Sequence, residues 1–340
     1  MPADLPRLRA LDGLRGLLAF GVVLSHVAAL TYWPPLHPTP NAAQWLTWHL
    51  GAPAVDIFFV LSGYVVTRAY DRRTRYLPFL IRRLRRLAPL AVTGVLLGLL
   101  VCRPLAALID SPDTSRGVLT LLREGYSPTD LAGLWSLGLL FPLKANLFNP
   151  PLWTLGTEVL ASVLTPALLL IARHLGWLAP LAAALLCLTG GLLYGPLLLI
   201  PLFVIGAALH THPPRLGRPA LIAVTILGAG ALLSRFILGE QQDLFRYVTG
   251  LGAAGVILGV THFQPRALLS RAAQWLGTRS YALYATHFAP LLAGAALADA
   301  AGLSVTTGAV LALPATLLLA HVTHHLTAPL SGQTRPPEHP

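Results

Sequence analysis

Three ionisable side chains interrupt the first long apolar run of this 340-residue sequence: Asp12, Arg15 and His26, in LDGLRGLLAFGVVLSHV. Such groups are costly in hydrocarbon, so each marks a position facing protein rather than lipid. His26 stands eleven positions after Arg15, and eleven helical steps of about 100° make three turns plus about 20°, so the two share a face. Asp12 lies one turn before Arg15 on that face. The same separation is a rise of about 16 Å, roughly half the thickness of a hydrocarbon core. A helix over 10–32 therefore carries a fixed cation at one depth and a titratable imidazole at another. Neutral imidazole acts as a general base or a nucleophile near neutral pH. The plainer alternative is an Asp12–Arg15 pair with a structural histidine, and the alignment of Arg15 with His26 favours function.

Other apolar runs carry chemistry at helical spacing. Asp56, in VDIFFVLSGYVV, shares a face with Val60 and Gly63, and Gly63 permits close backbone approach. Phe58 and Phe59 read as packing, while Ser62 supplies a hydroxyl next to Gly63. In FLIRRLRRLAPL, Arg82 and Arg86 stand one turn apart, so their guanidinium forks can converge on one anion. The alternative is that these arginines only orient the chain in a membrane. In NPPLWTLGTEVL, Trp153 and Thr154 precede Glu158, and the Thr154 hydroxyl can reach that carboxylate four residues on. Ser280, Tyr284 and His287 form one stripe, either functional or an interfacial belt. His321, His324 and His325 have metal-like spacing but lack the acid of a zincin motif, so a solvated helix end is expected and no metal site. Trp45, Trp48 and His49 read as an aromatic belt, with sugar stacking the alternative. Cys102 and Cys187 suggest neither a disulfide framework nor zinc.

The elements that must hold these groups are membrane helices. Hydrophobic residues make up 55% of the chain and charged ones only 11%, against about 25% charged in a soluble domain. Spans are expected near 10–32, 51–70, 87–107, 152–172, 177–194, 195–210, 219–238, 246–263, 280–298 and 304–326. A short apolar piece at 132–146 reads as a half-helix or re-entrant segment. The fold expected is thus all-α, a polytopic bundle of about ten transmembrane helices, with one domain over 1–330 and a short tail at 331–340. The net charge is +11 with Lys144 the single lysine, so arginine carries the basicity. The arginines fill alternate loops, notably 68–86, which places both termini and the tail in the cytoplasm. No nucleic-acid motif is present. Arg7 and Arg9 before an apolar run mimic a signal peptide, but the many spans that follow make this a retained first helix.

The motifs also carry a resemblance. An Arg and a His separated by ten residues in a helix beginning LDGLRG resemble the acyltransferase-3 family of membrane O-acyltransferases. So do the acid, two phenylalanines and Ser-Gly pair around Asp56 and Ser62. Arg82, Arg83, Arg86 and Pro89 match a third motif, and Trp153, Thr154, Leu155 and Glu158 a fourth, with Thr in place of Ser. The Gln-Phe-Tyr run that follows the Glu in the family is absent, since VLASVL stands there. The Ser-Tyr pair and later histidine of 280–287 make a fifth match.

That resemblance implies transfer of an acyl group, acetyl above all, from cytoplasmic acyl-CoA to a hydroxyl of a cell-surface or extracytoplasmic glycan or glycolipid. It implies a multi-pass protein of the cell inner membrane, in contact with membrane lipid and with no nucleic-acid partner. His26 would deprotonate the acceptor or carry the acyl group, with Glu158 or Asp56 orienting it as the third member of a triad. Arg15, Arg82, Arg83 and Arg86 would hold coenzyme A phosphates, with Asp12, Ser62, Trp153, Thr154, Tyr284 and His287 in support. Relatives often carry an added extracytoplasmic hydrolase-like domain, and the sequence, ending at Pro340, is expected to lack one. A transporter or flippase for a sugar or anionic substrate is the competing class, since polar stripes and cytoplasmic arginines suit it too.

Overall fold

A computed structural model describes residues 9–32, 41–71, 75–110, 119, 122–123, 148–191, 198–238 and 243–330. The half-helix expected at 132–146 and the tail at 331–340 lie outside these residues.

The described chain is helical. In order it forms α1 (Arg9–Ala29), α2 (Ala42–Trp48), α3 (Gly51–Asp71) and α4 (Tyr76–Leu97). A π turn at Gly98–Cys102 joins α4 to α5 (Arg103–Leu108), and a 3₁₀ turn at Pro150–Leu152 leads into α6 (Trp153–Leu175). Next come α7 (Ala179–Gly191), α8 (Ile200–Thr211), α9 (Arg218–Leu238) and α10 (Asp243–Phe263). The chain closes with α11 (Arg271–Thr286), α12 (Phe288–Ala300), α13 (Val305–Leu311) and α14 (Leu313–Thr327). Four helical stretches are long and apolar enough to cross a bilayer: Arg9–Ala29, Ala42–Asp71, Tyr76–Leu108 and Pro150–Leu186. Two bent pairs, α11 with α12 and α13 with α14, raise the number to six if each is one span. Shorter apolar helices at Ile200–Thr211 and Arg218–Ser234 accompany them. Leu100, Leu186, Leu227 and Leu311 are among the exposed apolar side chains, as a surface against lipid requires.

Several expected boundaries move. The span foreseen from 87 begins at Tyr76, because the arginine-rich residues before it are already helical. The span foreseen at 280–298 starts at Arg271 and breaks at His287, where α11 and α12 meet at 59°. Pro290 accounts for the break, since it has no N–H for the Thr286 carbonyl and its ring crowds that turn. Pro314 stands in the first turn of α14, beside a 45° bend from α13. The loop foreseen at 33–50 holds the short helix α2. Its capping box, Asn41 with Gln44, is visible in the sequence as N-A-A-Q.

Two close helix contacts position the site. A Cβ on Gly16 would overlap the Gly277 amide, and one on Gly277 would overlap the Asp12 carbonyl, so α1 and α11 meet backbone to backbone. The glycines of LDGLRG therefore serve packing. A Cβ on Gly63 would likewise overlap the Phe203 carbonyl, and one on Gly206 the Val60 carbonyl, which fixes α3 against α8. Asn149, fully buried ahead of α6, donates through Nδ2 to the carbonyls of Gly94 (3.1 Å) and Ala285 (3.0 Å), tying α4 to α11.

Candidate active site

A pocket lies between α1, α3, α6 and α11. Arg15, Glu158, Tyr281 and Thr154 give it a polar side, and Val55, Phe58, Phe59, Leu155 and Tyr284 an apolar one. Helical spacing explains the assembly: α1 brings Arg15 to the same seam that α11 lines with Ser280, Tyr281 and Tyr284.

Glu158 anchors the polar side. Its Oε1 accepts from the hydroxyls of Ser62 (2.9 Å) and Tyr281 (2.7 Å), and Arg83 stands 3.6 Å away. Thr154 does not bond Glu158 as its spacing suggested. It donates to the Pro151 carbonyl at 3.3 Å, because the 3₁₀ turn before α6 leaves that carbonyl nearer. Trp153 packs edge-on against Phe59 at 6.1 Å and supports the cavity wall.

The arginines gather around Tyr281. The Arg86 guanidinium lies 4.8 Å from the ring centroid and that of Arg15 5.7 Å away. Arg15 also pairs with Asp12 at 2.5 Å, as the spacing predicted. Arg83 donates from Nε to the Ser162 hydroxyl at 3.3 Å. The convergence is thus Arg15, Arg83 and Arg86. Arg82, expected to converge with Arg86, is exposed. Burial leaves donors of this cluster unmatched: Nε of Arg15, Nη2 of Arg83 and Nε of Arg86 have no hydrogen-bond partner among the described residues. A buried donor without a partner costs about 1–3 kcal/mol, and these three, two of them over the Tyr281 ring, suit an anion with several oxygens.

His26 lies further along α1, beyond the cavity lining. Its Nδ1 is 2.9 Å from the Val22 carbonyl and 3.3 Å from Nε2 of His287. Since a carbonyl only accepts, Nδ1 of His26 carries a proton and its Nε2 is the basic nitrogen. His287 is fully buried at the break between α11 and α12. Tyr284 links it to the cavity, with ring contacts to His287 at 6.0 Å and Phe58 at 6.2 Å. Neither carboxylate named from the sequence bonds to His26. Glu158 belongs to the arginine cluster. Asp56, fully buried on α3, accepts from Thr249 at 2.7 Å and faces Arg246 at 3.9 Å, so it ties α3 to α10.

The histidines at the end of α14 are half-exposed or exposed, and His321 also stacks on Trp275 and accepts from Nε of Arg279 at 2.9 Å. Among the described residues no group of three potential ligands forms a metal site. Tyr281 and Asn149 were not singled out from the sequence. Tyr281 sits in the Ser-Tyr pair, next to the stripe of Ser280, Tyr284 and His287 and off its face. Asn149 is a lone polar residue before two prolines at the start of an apolar run, the one sign it gave.

A buried arginine cluster and a histidine pair on shared helices accord with the sequence motifs. The model of the acyltransferase-3 family, described as an acyltransferase domain, matches residues 8–325, and the chain belongs to that family. Among named proteins, the chain is similar to "Acyltransferase MdmB" of Streptomyces mycarofaciens, 27% identical over 55% of this chain and 47% of that protein. It is also similar to "Putative peptidoglycan O-acetyltransferase YrhL" of Bacillus subtilis (strain 168), 27% identical over 93% of this chain and 54% of that protein. The chain spans about half the length of these relatives. No solved structure matches it.

Proposed function

We infer that the protein is a membrane O-acyltransferase that takes an acyl group, acetyl foremost, from acyl-CoA and moves it to a hydroxyl of a cell-surface or extracytoplasmic glycan or glycolipid. One observation carries the reading. Arg15, Arg83 and Arg86 present buried donors without hydrogen-bond partners among the described residues, and His26 lies on α1, the helix of Arg15, about 16 Å further along. The arginines would hold the donor's phosphates from the cytoplasm. Glu158, through Ser62, Tyr281 and Arg83, keeps that cluster in register. Binding the donor supplies a thioester, and His26 Nε2 removes the acceptor's proton as its oxygen attacks the acyl carbon. The proton then passes to the departing thiol. Alternatively His26 takes the acyl group first as an acyl-imidazole. Both relatives' names support acyl transfer and that of the Bacillus subtilis protein transfer to oxygen, and a peptidoglycan-like acceptor is one member of the proposed class. The family match and the apolar bundle favour a multi-pass protein of the inner membrane.

Purified protein in detergent, given labelled acetyl-CoA and surface glycan, tests this. Transfer should occur and should vanish in His26→Ala. A protein that turns over no acyl-CoA is a transporter instead, and full transfer by His26→Ala removes the histidine from the mechanism.

A further inference from the structure

Among the described residues no carboxylate bonds the histidine on α1, and the residue that stands behind it is His287. Its Nδ1 lies 3.0 Å from the Leu283 carbonyl and 2.9 Å from that of Tyr284. Both partners only accept, so Nδ1 of His287 carries the proton and its Nε2 presents a lone pair. That lone pair faces Nδ1 of His26 at 3.3 Å, the nitrogen whose proton is already directed at the Val22 carbonyl. One proton is therefore shared between a carbonyl and an imidazole. The arrangement requires Nδ1 of both rings to carry a proton and Nε2 of His287 to keep its lone pair, and it persists when Nε2 of His26 gains a proton. The rings meet at 62° with centroids 5.0 Å apart, and Phe288 closes the His26 ring from another side at 5.8 Å. The helix break at His287 makes this possible, because it ends α11 where the His287 ring reaches two carbonyls of its final turn.

We propose that His287 is a positioning residue: its Nε2 accepts the Nδ1 proton of His26, fixes the tautomer and ring plane of His26, and steadies the imidazolium that forms when His26 Nε2 takes the acceptor's proton. A neutral imidazole, anchored by backbone, thereby does what the carboxylate of a Ser-His-Asp triad does. The proposal rests on the reading of His26 as base or nucleophile.

Two variants separate this role from packing. In His287→Gln the amide oxygen can reach the position of Nε2 and accept the same proton. In His287→Phe the ring volume stays and the acceptor goes. The measurements are kcat and KM for acetyl-CoA in purified protein, with the melting temperature of each variant. The expected result is a kcat lower by about 100-fold or more in His287→Phe, the scale on which loss of an orienting partner acts, with KM for acetyl-CoA within twofold. His287→Gln should keep kcat within about fivefold of the parent on the same scale. If the Phe variant does not fold, His287→Asn replaces it with the same expectation, since its shorter amide cannot span the gap to His26. Full kcat in the variant without an acceptor, or an equal fall in Gln and Phe, overturns the proposal. An inactive His26→Ala beside a fully active His287→Phe would sink the pairing alone, whereas an active His26→Ala would sink the base reading and the pairing with it.

Discussion

Exchanging Arg86 for Gln tests whether the arginine cluster binds the donor or only orients the chain. Arg86 is the cleanest probe of the three. Arg15 is paired with Asp12 and Arg83 leans on Glu158, so removing either would strand a buried carboxylate. Arg86 instead rests on the Tyr281 ring with its Nε unmatched. If it meets a phosphate of acyl-CoA, the exchange removes a charge-assisted hydrogen bond of about 1.5–3 kcal/mol. At about 1.4 kcal/mol per decade that is a loss of donor affinity of about 10- to 150-fold. Losing the cation–π contact with Tyr281 lowers stability by about 0.5–2 kcal/mol besides. The turnover number should change little, because the histidine pair lies at the other end of α1. The assay is initial rate against acetyl-CoA concentration, supported by direct binding of coenzyme A. Arg82→Gln supplies the contrast: Arg82 is exposed, so donor affinity should fall by less than about threefold. Equal effects at Arg82 and Arg86, or no effect at Arg86, would refute the assignment of the cluster.

Packing gives two further expectations. Gly277→Ala places a methyl group on the Asp12 carbonyl and should part α1 from α11, at a cost of about 1–3 kcal/mol or more. A melting temperature equal to the parent's would show that the two helices are not in backbone contact. Asn149→Leu strips a hydrogen bond from each of two buried carbonyls, Gly94 and Ala285, at about 1–3 kcal/mol each. Thermal unfolding in detergent should fall accordingly, while coenzyme A binding to the remaining folded protein stays unchanged.

The sequence carried the depth relation on α1, because two residues on one helix obey a single period. It also carried Glu158 and Ser62, since acids and hydroxyls are rare in apolar runs. It failed where partners come from different helices. Arg82 and Arg86 have the right spacing to meet, yet α4 turns Arg82 outward and Arg83 inward, and only the neighbours α6 and α11 determine which. Asp56 gave no sign of its partners, because Arg246 and Thr249 lie about 190 residues away in the chain. The break at His287 was foreshadowed by Pro290, but a proline predicts a bend and not the direction in which it throws a side chain.

The glycine seam between α1 and α11 has a mechanical consequence. Arg15 and His26 ride on one of these helices, Tyr281 and His287 on the other, and interlocked backbones leave no room for either to slide. The seam therefore acts as a gauge of constant length between the anion grip and the imidazoles. A carrier too short to reach from one mark to the other would dock without reacting. Any movement at this site must come from the walls around that gauge rather than from α1 sliding on α11.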